Sequence, residues 1–395
     1  MVHNALKRLG INAVFLEPGM GGVEVYARAL VGEIAELRPD VAITVFANRD
    51  GAAALAREGW ATAGAAEIVT HPLLGRRYAR ALTELTLLGA LASSRRLDVL
   101  HSLAMVGPLR TRAATVVTVH DLIWHHHPES MPASTTRLWK AAIPRVVRAS
   151  DRIIAPSAAT RDELVAAFGT SADRVDVVPQ SFSAGVADPT PAGELRRRFS
   201  LGDGPVVYCA ASAKKSHKNL ELAIDAMPQV HKRVAGAQLV ISGHPTAHEQ
   251  VLRRRISERG IRDAIVLVPW ISRADVEGMY ELARCFVFPS RSEGFGLPPL
   301  EAMRRGLPVV SSNVSAVGEV VGDAALTVSP DDVNGLAGAL ERVLTDKDLA
   351  SRLIGKGRRR AAQFSWRHTA ELTLDSYDRT LKDRGRHASA EDPAR

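Results

Sequence analysis

The chain has 395 residues, 46% of them hydrophobic and 24% charged, and carries a formal net charge of +8 at pH 7. This length exceeds what one hydrophobic core usually holds, so we expect two globular domains. No run of about 18 apolar residues exists, so we expect no membrane-spanning helix. Aromatic residues make up only 5% and are not interleaved with a basic stripe, so we expect no nucleic-acid partner.

The excess of positive charge lies in arginines spread along predicted helices. This pattern is typical of a solvated surface or of weak attraction to an anionic membrane face. The first ten residues lack the apolar core of a signal peptide. Cys209 and Cys285 fall inside predicted strands and are expected to be small buried hydrophobes. We therefore expect a cytoplasmic protein, either free or peripheral to the inner face of the membrane.

The first half of the chain alternates apolar runs with helical patterns. Ile11–Leu16 is predicted as a buried strand, followed by the pair Gly21 and Gly22 and by a helix. The glycines do not fit the dinucleotide-binding fingerprint, and a tight turn before a helix is their alternative explanation. Helices are expected at about 74–92, 134–149 and 158–168. Further strands are predicted at Val41–Ala47, Glu67–His71, Asp98–Ser102, Thr115–His120, Arg152–Ser157 and Val175–Pro179. The alternation predicts one doubly wound parallel sheet.

Histidines follow the predicted strand Thr115–His120. His120 and Asp121 stand at its carboxyl end, where ligands of such sheets collect, so His120 is expected to project towards a ligand. A bond from His120 to a loop carbonyl is the alternative. The run 125–127 is three histidines, but consecutive side chains cannot converge on one ion without contortion, and no partner is suitably spaced. The sequence therefore predicts no metal there.

A polar stretch of small residues at 181–191 predicts a linker, and a second α/β series follows it. Its strands are predicted at Val206–Ala211, Gln238–Gly243, Ile265–Trp270, Cys285–Pro289, Val309–Ser312 and Ala325–Val328. After the first of these strands come Lys214, Lys215 and Lys218, just before a helix. Lysines at such a turn can neutralise a diphosphate. A basic helix start is the alternative, but cations are disfavoured at a helix N-terminus.

The stretch that follows Cys285–Pro289 is the most informative in the chain. Its sequence from Ser290 is SRSEGFGLPPLEAM, in which Gly294 and Gly296 allow close approach to the main chain and prolines begin a helix. A glycine-bearing loop and a helix N-terminus form an anion site, where the helix dipole adds about half a positive charge. Glu293 and Glu301 bracket this site and suit hydroxyls of a sugar and a ribose. A capped helix with two solvated glutamates is the alternative.

The spacing of the two glutamates within EGFGLPPLEAM resembles the signature of the family-4 retaining glycosyltransferases of the GT-B fold, also called group 1 glycosyltransferases. The resemblance extends over roughly residues 11–380. It implies two Rossmann-like doubly wound parallel-sheet domains facing across a cleft. It also implies transfer of a hexosyl group from an NDP-sugar to an acceptor hydroxyl, with retention at the anomeric carbon and without a metal or other cofactor.

The resemblance also implies roles for particular residues. His120, Lys218 and Glu293 correspond to catalytic positions of the family. A larger set corresponds to donor-binding positions: Gly21, Gly22, Lys214, Lys218, Glu293, Gly294, Phe295, Gly296, Leu297 and Glu301. Lys214 and Lys215 are alternatives for a second phosphate cation beside Lys218. The acceptor is expected to be a small molecule, a glycan or a lipid-linked sugar.

The domain boundaries follow from the linker and from the family. Residues 1–185 are expected to form the acceptor-side domain and 200–365 the nucleotide-sugar domain. A helix at 366–381 is expected to cross back to the first domain, and 382–395 to be a disordered tail. Two alternatives to the transferase remain, namely a GT-B nucleotide-sugar epimerase and an inactive basic scaffold or nucleic-acid-binding protein. Asp346 and Asp348 resemble a metal-binding Asp-x-Asp motif, but their place between two helices favours a helix cap.

Overall fold

Short strands rich in Val, Ile, Leu and Ala form two parallel sheets, which are buried on both faces by helices, as continuous apolar strands require. The computed structural model describes residues 5–17, 21–73, 80–182, 188–213 and 215–391. The chain divides into unit 1, comprising Met1–His126, Met131–Ser181 and Ser365–Arg395, and unit 2, comprising His127–Ser130 and Phe182–Phe364. The predicted α/β class, with two doubly wound parallel sheets, is confirmed.

Unit 1 is built on a seven-stranded sheet in the order β3-β2-β1-β4-β5-β6-β7. Its strands are β1 Arg8–Ala13, β2 Ala42–Ala47, β3 Ala66–Thr70, β4 Val99–Ser102, β5 Ala114–Thr118, β6 Arg152–Ala155 and β7 Val175–Val177. Its helices before the linker are α1 Gly22–Leu37, α2 Arg49–Leu55, α3 Gly59–Thr62, α4 Arg80–Leu85, α5 Leu87–Ser94, α6 Ile123–His126, α7 Ala133–Ala149 and α8 Ala158–Phe168. Apolar side chains pack on both faces of this sheet.

Unit 2 is built on a six-stranded sheet in the order β10-β9-β8-β11-β12-β13. Its strands are β8 Val206–Ala213, β9 Gln238–His244, β10 Ile265–Val268, β11 Cys285–Phe288, β12 Val309–Ser312 and β13 Ala325–Val328. Its helices are α9 Ala192–Arg198, α10 Leu220–Arg233, α11 Glu249–Glu258, α12 Arg273–Leu282, α13 Leu297–Arg304, α14 Ser315–Val321, α15 Val333–Thr345 and α16 Lys347–Ala361. Cys209 and Cys285 are free thiols within its core, as expected.

Each sheet has a point where the strand order reverses. In unit 1 the reversal lies between β1 and β4, and in unit 2 between β8 and β11. Ligands of open α/β sheets bind outside the carboxyl ends of the strands at this point. In unit 2 the loops that follow β8 and β11 carry Lys218 and Glu293, so both residues lie at the edge where a ligand is expected.

The strand predictions differ from the structure mainly at the ends. The first strand was expected at Ile11–Leu16 but runs from Arg8 to Ala13. The strand begins earlier than expected because the carboxylate of Asp98 fixes its start by accepting hydrogen bonds from the amides of Lys7 and Arg8. The single helix expected at 74–92 is two helices, α4 and α5, with Thr86 between them in a non-helical conformation; residues 74–79 lie outside the described part.

The C-terminal helix, α17 Trp366–Glu391, belongs to unit 1 and packs against α1, β5 and β6. The prediction of a disordered tail from Lys382 is wrong, because the helix continues to Glu391. Residues 392–395 lie outside the described residues. Ion pairs hold the start of the extension: Arg152 pairs with Asp383 at 3.0 Å, and Arg384 with Asp151 at 3.1 Å. No helix in the described ranges is long and apolar enough to cross a membrane.

Candidate functional site

The loops after β8 and β11 are joined by an ion pair between two residues that the sequence singled out. The ammonium of Lys218 donates to Oε1 of Glu293 at 2.7 Å. The backbone joins the same loops, because the amide of Arg291 donates to the carbonyl of His217 at 2.8 Å. The fold therefore brings the predicted phosphate cation and the predicted sugar carboxylate into direct contact.

The Glu293 carboxylate is held in place by further contacts. The hydroxyl of Ser290 donates to Oε1 at 2.7 Å, and that of Ser315 donates to the Glu293 carbonyl at 2.9 Å. The Lys218 and Glu293 side chains are only 13% and 11% exposed, so screening of this pair by solvent is weak. A phosphate that binds Lys218 therefore has to compete with Glu293 for the ammonium or share it.

Helix α13 begins directly after this loop. Gly296 caps it with a φ of +107°, a conformation that a side chain would strain, and the prolines of the first turn have no N–H to satisfy. The amides at 294–297 lie just before the prolines, in the loop and helix start where the sequence predicts an anion site. The Phe295 side chain is buried, with its ring 5.8 Å from that of Phe364. Phe295 can therefore contact a ligand only through its main chain.

Glu301 lies one turn into α13, in a less polar setting than Glu293. The phenol of Tyr280 donates to its Oε2 at 3.2 Å, and Arg305 donates from Nη1 to its carbonyl at 2.9 Å. Burial raises the pKa of the Glu301 carboxyl, while the charge of Arg305 opposes the shift. Arg305 itself pairs with Glu277. Glu301 is thus held by Tyr280 in an orientation that a ribose hydroxyl would have to match.

The turn that presents Lys218 is fixed from its C-terminal side. Asn219 has a φ of +52°, and its side-chain Nδ2 donates to the carbonyls of Pro289 at 3.0 Å and Pro330 at 2.8 Å. Lys215 opens the turn by accepting a bond from the Lys218 amide at 3.1 Å. Lys214, the other predicted phosphate cation, lies outside the described residues.

In unit 1, Gly21 caps α1 with a φ of +76° and Gly22 is the first helical residue, at the predicted position. His120 is buried, and both of its ring nitrogens have partners. Nε2 lies 2.8 Å from the carbonyl of Leu103, and Nδ1 lies 2.8 Å from the side-chain nitrogen of Gln180. Burial lowers its pKa to about 4. The bond to a loop carbonyl is the alternative that the sequence left open for His120.

A buried chain of hydrogen bonds supports His120 and was not foreseen. The rings of Tyr26 and His120 meet edge to face at 5.0 Å. The Tyr26 hydroxyl lies 3.0 Å from that of Thr118, which is 2.8 Å from Nε2 of His101. The other nitrogen of His101 lies 2.7 Å from the hydroxyl of Tyr377 on α17. The only sequence signal was a histidine within the apolar strand β4.

A second unforeseen feature lies at the carboxyl ends of β9 and β10. The rings of His244 and Trp270 stack at 4.3 Å and 7°, and Trp270 is 50% exposed. Since β9 is the neighbour of β8, this aromatic surface lies along the same sheet edge as the lysine turn. The signal in the sequence was a tryptophan at the carboxyl end of a predicted parallel strand.

The remaining candidates have structural explanations. The Asp346 carboxylate accepts the amide of Leu349 at 2.9 Å, which confirms the predicted helix cap. His126 faces Glu163, and His127 faces Glu129. Throughout the described ranges, no three His, Cys, Asp or Glu side chains are grouped so that they could hold a metal ion.

Comparison with known proteins identifies the family. The model of the glycosyl transferases group 1 matches residues 193–360, and that of Glycosyltransferase Family 4 matches 20–182. The chain is 31% identical over 267 residues to the O-antigen chain mannosyltransferase B of Escherichia coli, which covers 66% of this chain and 69% of the relative. A serotype-specific mannosyltransferase from the same organism also matches, but the chain spans only 29% of the length of that relative.

Two further matches extend over nearly the whole chain. A GDP-mannose-dependent alpha-(1-6)-phosphatidylinositol monomannoside mannosyltransferase from Mycolicibacterium smegmatis is 27% identical, over 89% of this chain and 93% of the relative. A crystal structure of Anabaena HepE in complex with UDP and glucose has a TM-score of 0.69 at 18% identity, covering 94% and 99% of the two chains. This chain is therefore an enzyme of the group 1, family-4 glycosyltransferases with the GT-B fold.

Proposed function

We propose that the enzyme transfers a hexosyl group from an NDP-sugar to an acceptor hydroxyl, with retention of configuration. The bond between the anomeric carbon and the β-phosphate oxygen breaks, and the acceptor oxygen bonds to that carbon on the same face. The acceptor proton passes to the leaving phosphate oxygen. The observation that carries the proposal is the contact between Lys218 and Glu293 beside the N-terminus of α13.

The chemistry of these groups suits the departure of a nucleoside diphosphate. Negative charge grows on the phosphates as the bond breaks, and a fixed ammonium and fixed amides stabilise it without reorganising. Lys218 and the amides at 294–297 supply these groups. Positive charge grows on the sugar at the same time, and the Glu293 carboxylate can oppose it once the phosphates occupy Lys218. The pair thus becomes two separate contacts when the donor binds.

Other parts of the donor have candidate contacts within unit 2. Glu301 is proposed to hold the ribose and Trp270 to stack on the base, because a half-exposed ring offers a flat surface to any nucleobase. Gly21 and Gly22 are proposed to allow donor contact within unit 1. The named relatives transfer mannose, one of them from GDP-mannose, so we propose GDP-mannose as the first donor to test.

The acceptor is proposed to be a glycan or a lipid-linked sugar, as the names of the relatives suggest. Contact with an anionic membrane face is proposed to bring the enzyme to such an acceptor. The net charge of +8 supports this, as does helix α7, which carries four cations and no acidic residue. A small-molecule acceptor remains compatible with the same donor chemistry.

Transfer is proposed to need no divalent metal, because Lys218 and the loop amides stabilise the negative charge of the diphosphate. Turnover of the active donor in excess EDTA is therefore expected to stay within about twofold of the untreated rate. If EDTA abolished the activity and Mn²⁺ or Mg²⁺ restored it, the proposal of metal-independent transfer would be wrong.

Proton NMR of the product should show the anomeric configuration of the donor. Donor turnover without acceptor would favour the epimerase instead.

His120 is proposed to contact the transferred sugar. The sugar would either replace the Leu103 carbonyl as the partner of Nε2 or contact the edge of the imidazole ring. His120→Ala is expected to lower kcat at least tenfold while the affinity for free NDP stays within about twofold. Gln180→Leu is the matched control, since it removes the same buried bond but leaves the imidazole. Both variants are expected to lose about 1–3 kcal/mol of stability. Equal losses of activity in the two variants would make His120 structural.

A further inference from the structure

The turn Ser216–Lys218 that presents the proposed phosphate cation is held by a short segment from far away in the sequence. This segment, His127–Ser130, lies in the chain between two stretches of unit 1 but belongs to unit 2, and we call it the strap. The Ser130 hydroxyl lies 3.1 Å from Nδ1 of His217 and 3.2 Å from the hydroxyl of Ser216. Ser216 in turn donates to the carboxylate of Glu129 at 3.3 Å.

His217 connects the strap to the loop that carries Glu293. Its side chain is 4% exposed and bonds to Ser130, while its carbonyl accepts the amide of Arg291, two residues before Glu293. Lys218, the next residue, bonds to Glu293 itself. A shift of His217 would therefore move both the ammonium and the carboxylate that faces it.

The chemistry of His217 suits a positioning role among cations. Burial, reinforced by the neighbouring charges of Lys218 and Lys215, lowers its pKa to about 2, so the ring is neutral at working pH. A neutral ring adds no charge beside the phosphates, yet it can exchange a hydrogen bond with a hydroxyl. The alternative, a histidine that only fills space in the core, would not need the Ser130 hydroxyl at this distance.

We propose that Ser130 and His217 are positioning residues that set Lys218 and the Glu293 loop for the donor diphosphate. The proposal rests on the donor site described above, and it concerns the hydrogen bond between the two side chains. Removing either partner should weaken diphosphate binding by about fivefold, the effect of one ordinary hydrogen bond. Removing both should weaken it no further, because one interaction cannot be lost twice.

The test is a calorimetric titration of the full-length enzyme with whichever of GDP, UDP, ADP or dTDP binds best. The variants are Ser130→Ala, His217→Leu, their double variant, and His217→Asn, whose amide can take the place of Nδ1. Ser134→Ala, an exposed site on α7, is the matched control. We expect about fivefold weaker binding in the two single variants and in the double variant, and near wild-type binding for His217→Asn and Ser134→Ala.

The possible outcomes separate the two proposals. If the wild type binds none of the nucleotides, the donor site itself is wrong. If the wild type binds but Ser130→Ala binds equally well, or the two single effects add, the positioning role is overturned. Loss of binding in His217→Asn equal to that in His217→Leu would also overturn it, since space rather than the hydrogen bond would then matter. Ser130→Ala carries the test if His217→Leu does not fold.

Discussion

Glu293→Gln is expected to lower kcat by about 10²–10³ while changing KM for the donor little. The carboxylate opposes positive charge that exists on the sugar mainly in the transition state, and losing one preorganised group of this kind typically costs that much. Gln keeps the size of the side chain and can still accept the bond from Ser290. Charge is therefore the variable under test, and steady-state kinetics with the active donor measure it.

Glu301→Gln is the matched control for Glu293→Gln, because both substitutions replace a carboxylate with an amide within the same segment, 290–303. A ribose contact is equally strong in the substrate and in the transition state, so its loss should raise KM more than it lowers kcat. Identical kinetic profiles for the two variants, or a Glu293→Gln enzyme within about threefold of wild type, would contradict the assigned roles.

Lys218→Met is expected to lower kcat/KM by about 10² or more and also to destabilise the ligand-free enzyme. The activity falls because the leaving diphosphate loses its fixed ammonium. The stability falls because the Glu293 side chain, which is only 11% exposed, loses its ion-pair partner. Breaking such a buried pair by removing one member costs on the order of 3 kcal/mol. Denaturant unfolding and donor kinetics measure the two effects separately.

The double variant Lys218→Met/Glu293→Gln distinguishes a structural ion pair from a catalytic one. With both charges gone, no uncompensated carboxylate remains, so stability should return most of the way to that of the wild type. Activity should stay as low as in the worse single variant. Recovery of activity together with stability would mean that the pair serves folding alone.

The strands and the two charged loops could be predicted from the sequence because they depend on local patterns. Apolar runs such as Val309–Ser312 are buried wherever the chain places them, and glycines before prolines mark the start of α13. The boundary of β1 could not be predicted, since it depends on Asp98, which is distant in sequence.

The contacts among the functional residues were beyond the sequence for a similar reason. Lys218 and Glu293 were each assigned to a ligand, but their bond to each other depends on β8 and β11 being neighbours in the sheet. The partners of His120 come from Leu103 and Gln180, and a single sequence does not reveal such long-range pairs. The strap is the clearest example, because its four residues belong to unit 2 although the chain on either side of them belongs to unit 1.

Binding of the donor nucleotide is the most direct test of the central claim that unit 2 holds a nucleoside diphosphate through Lys218 and the loop before α13. Thermal unfolding of the wild type and of Lys218→Met is measured with GDP-, UDP-, ADP- and dTDP-sugars. At about 100 times its dissociation constant, the correct donor should stabilise the wild type by about 2.7 kcal/mol. At the same concentration it should stabilise Lys218→Met far less. Equal stabilisation of both proteins, or stabilisation of neither by any donor, would contradict the claim.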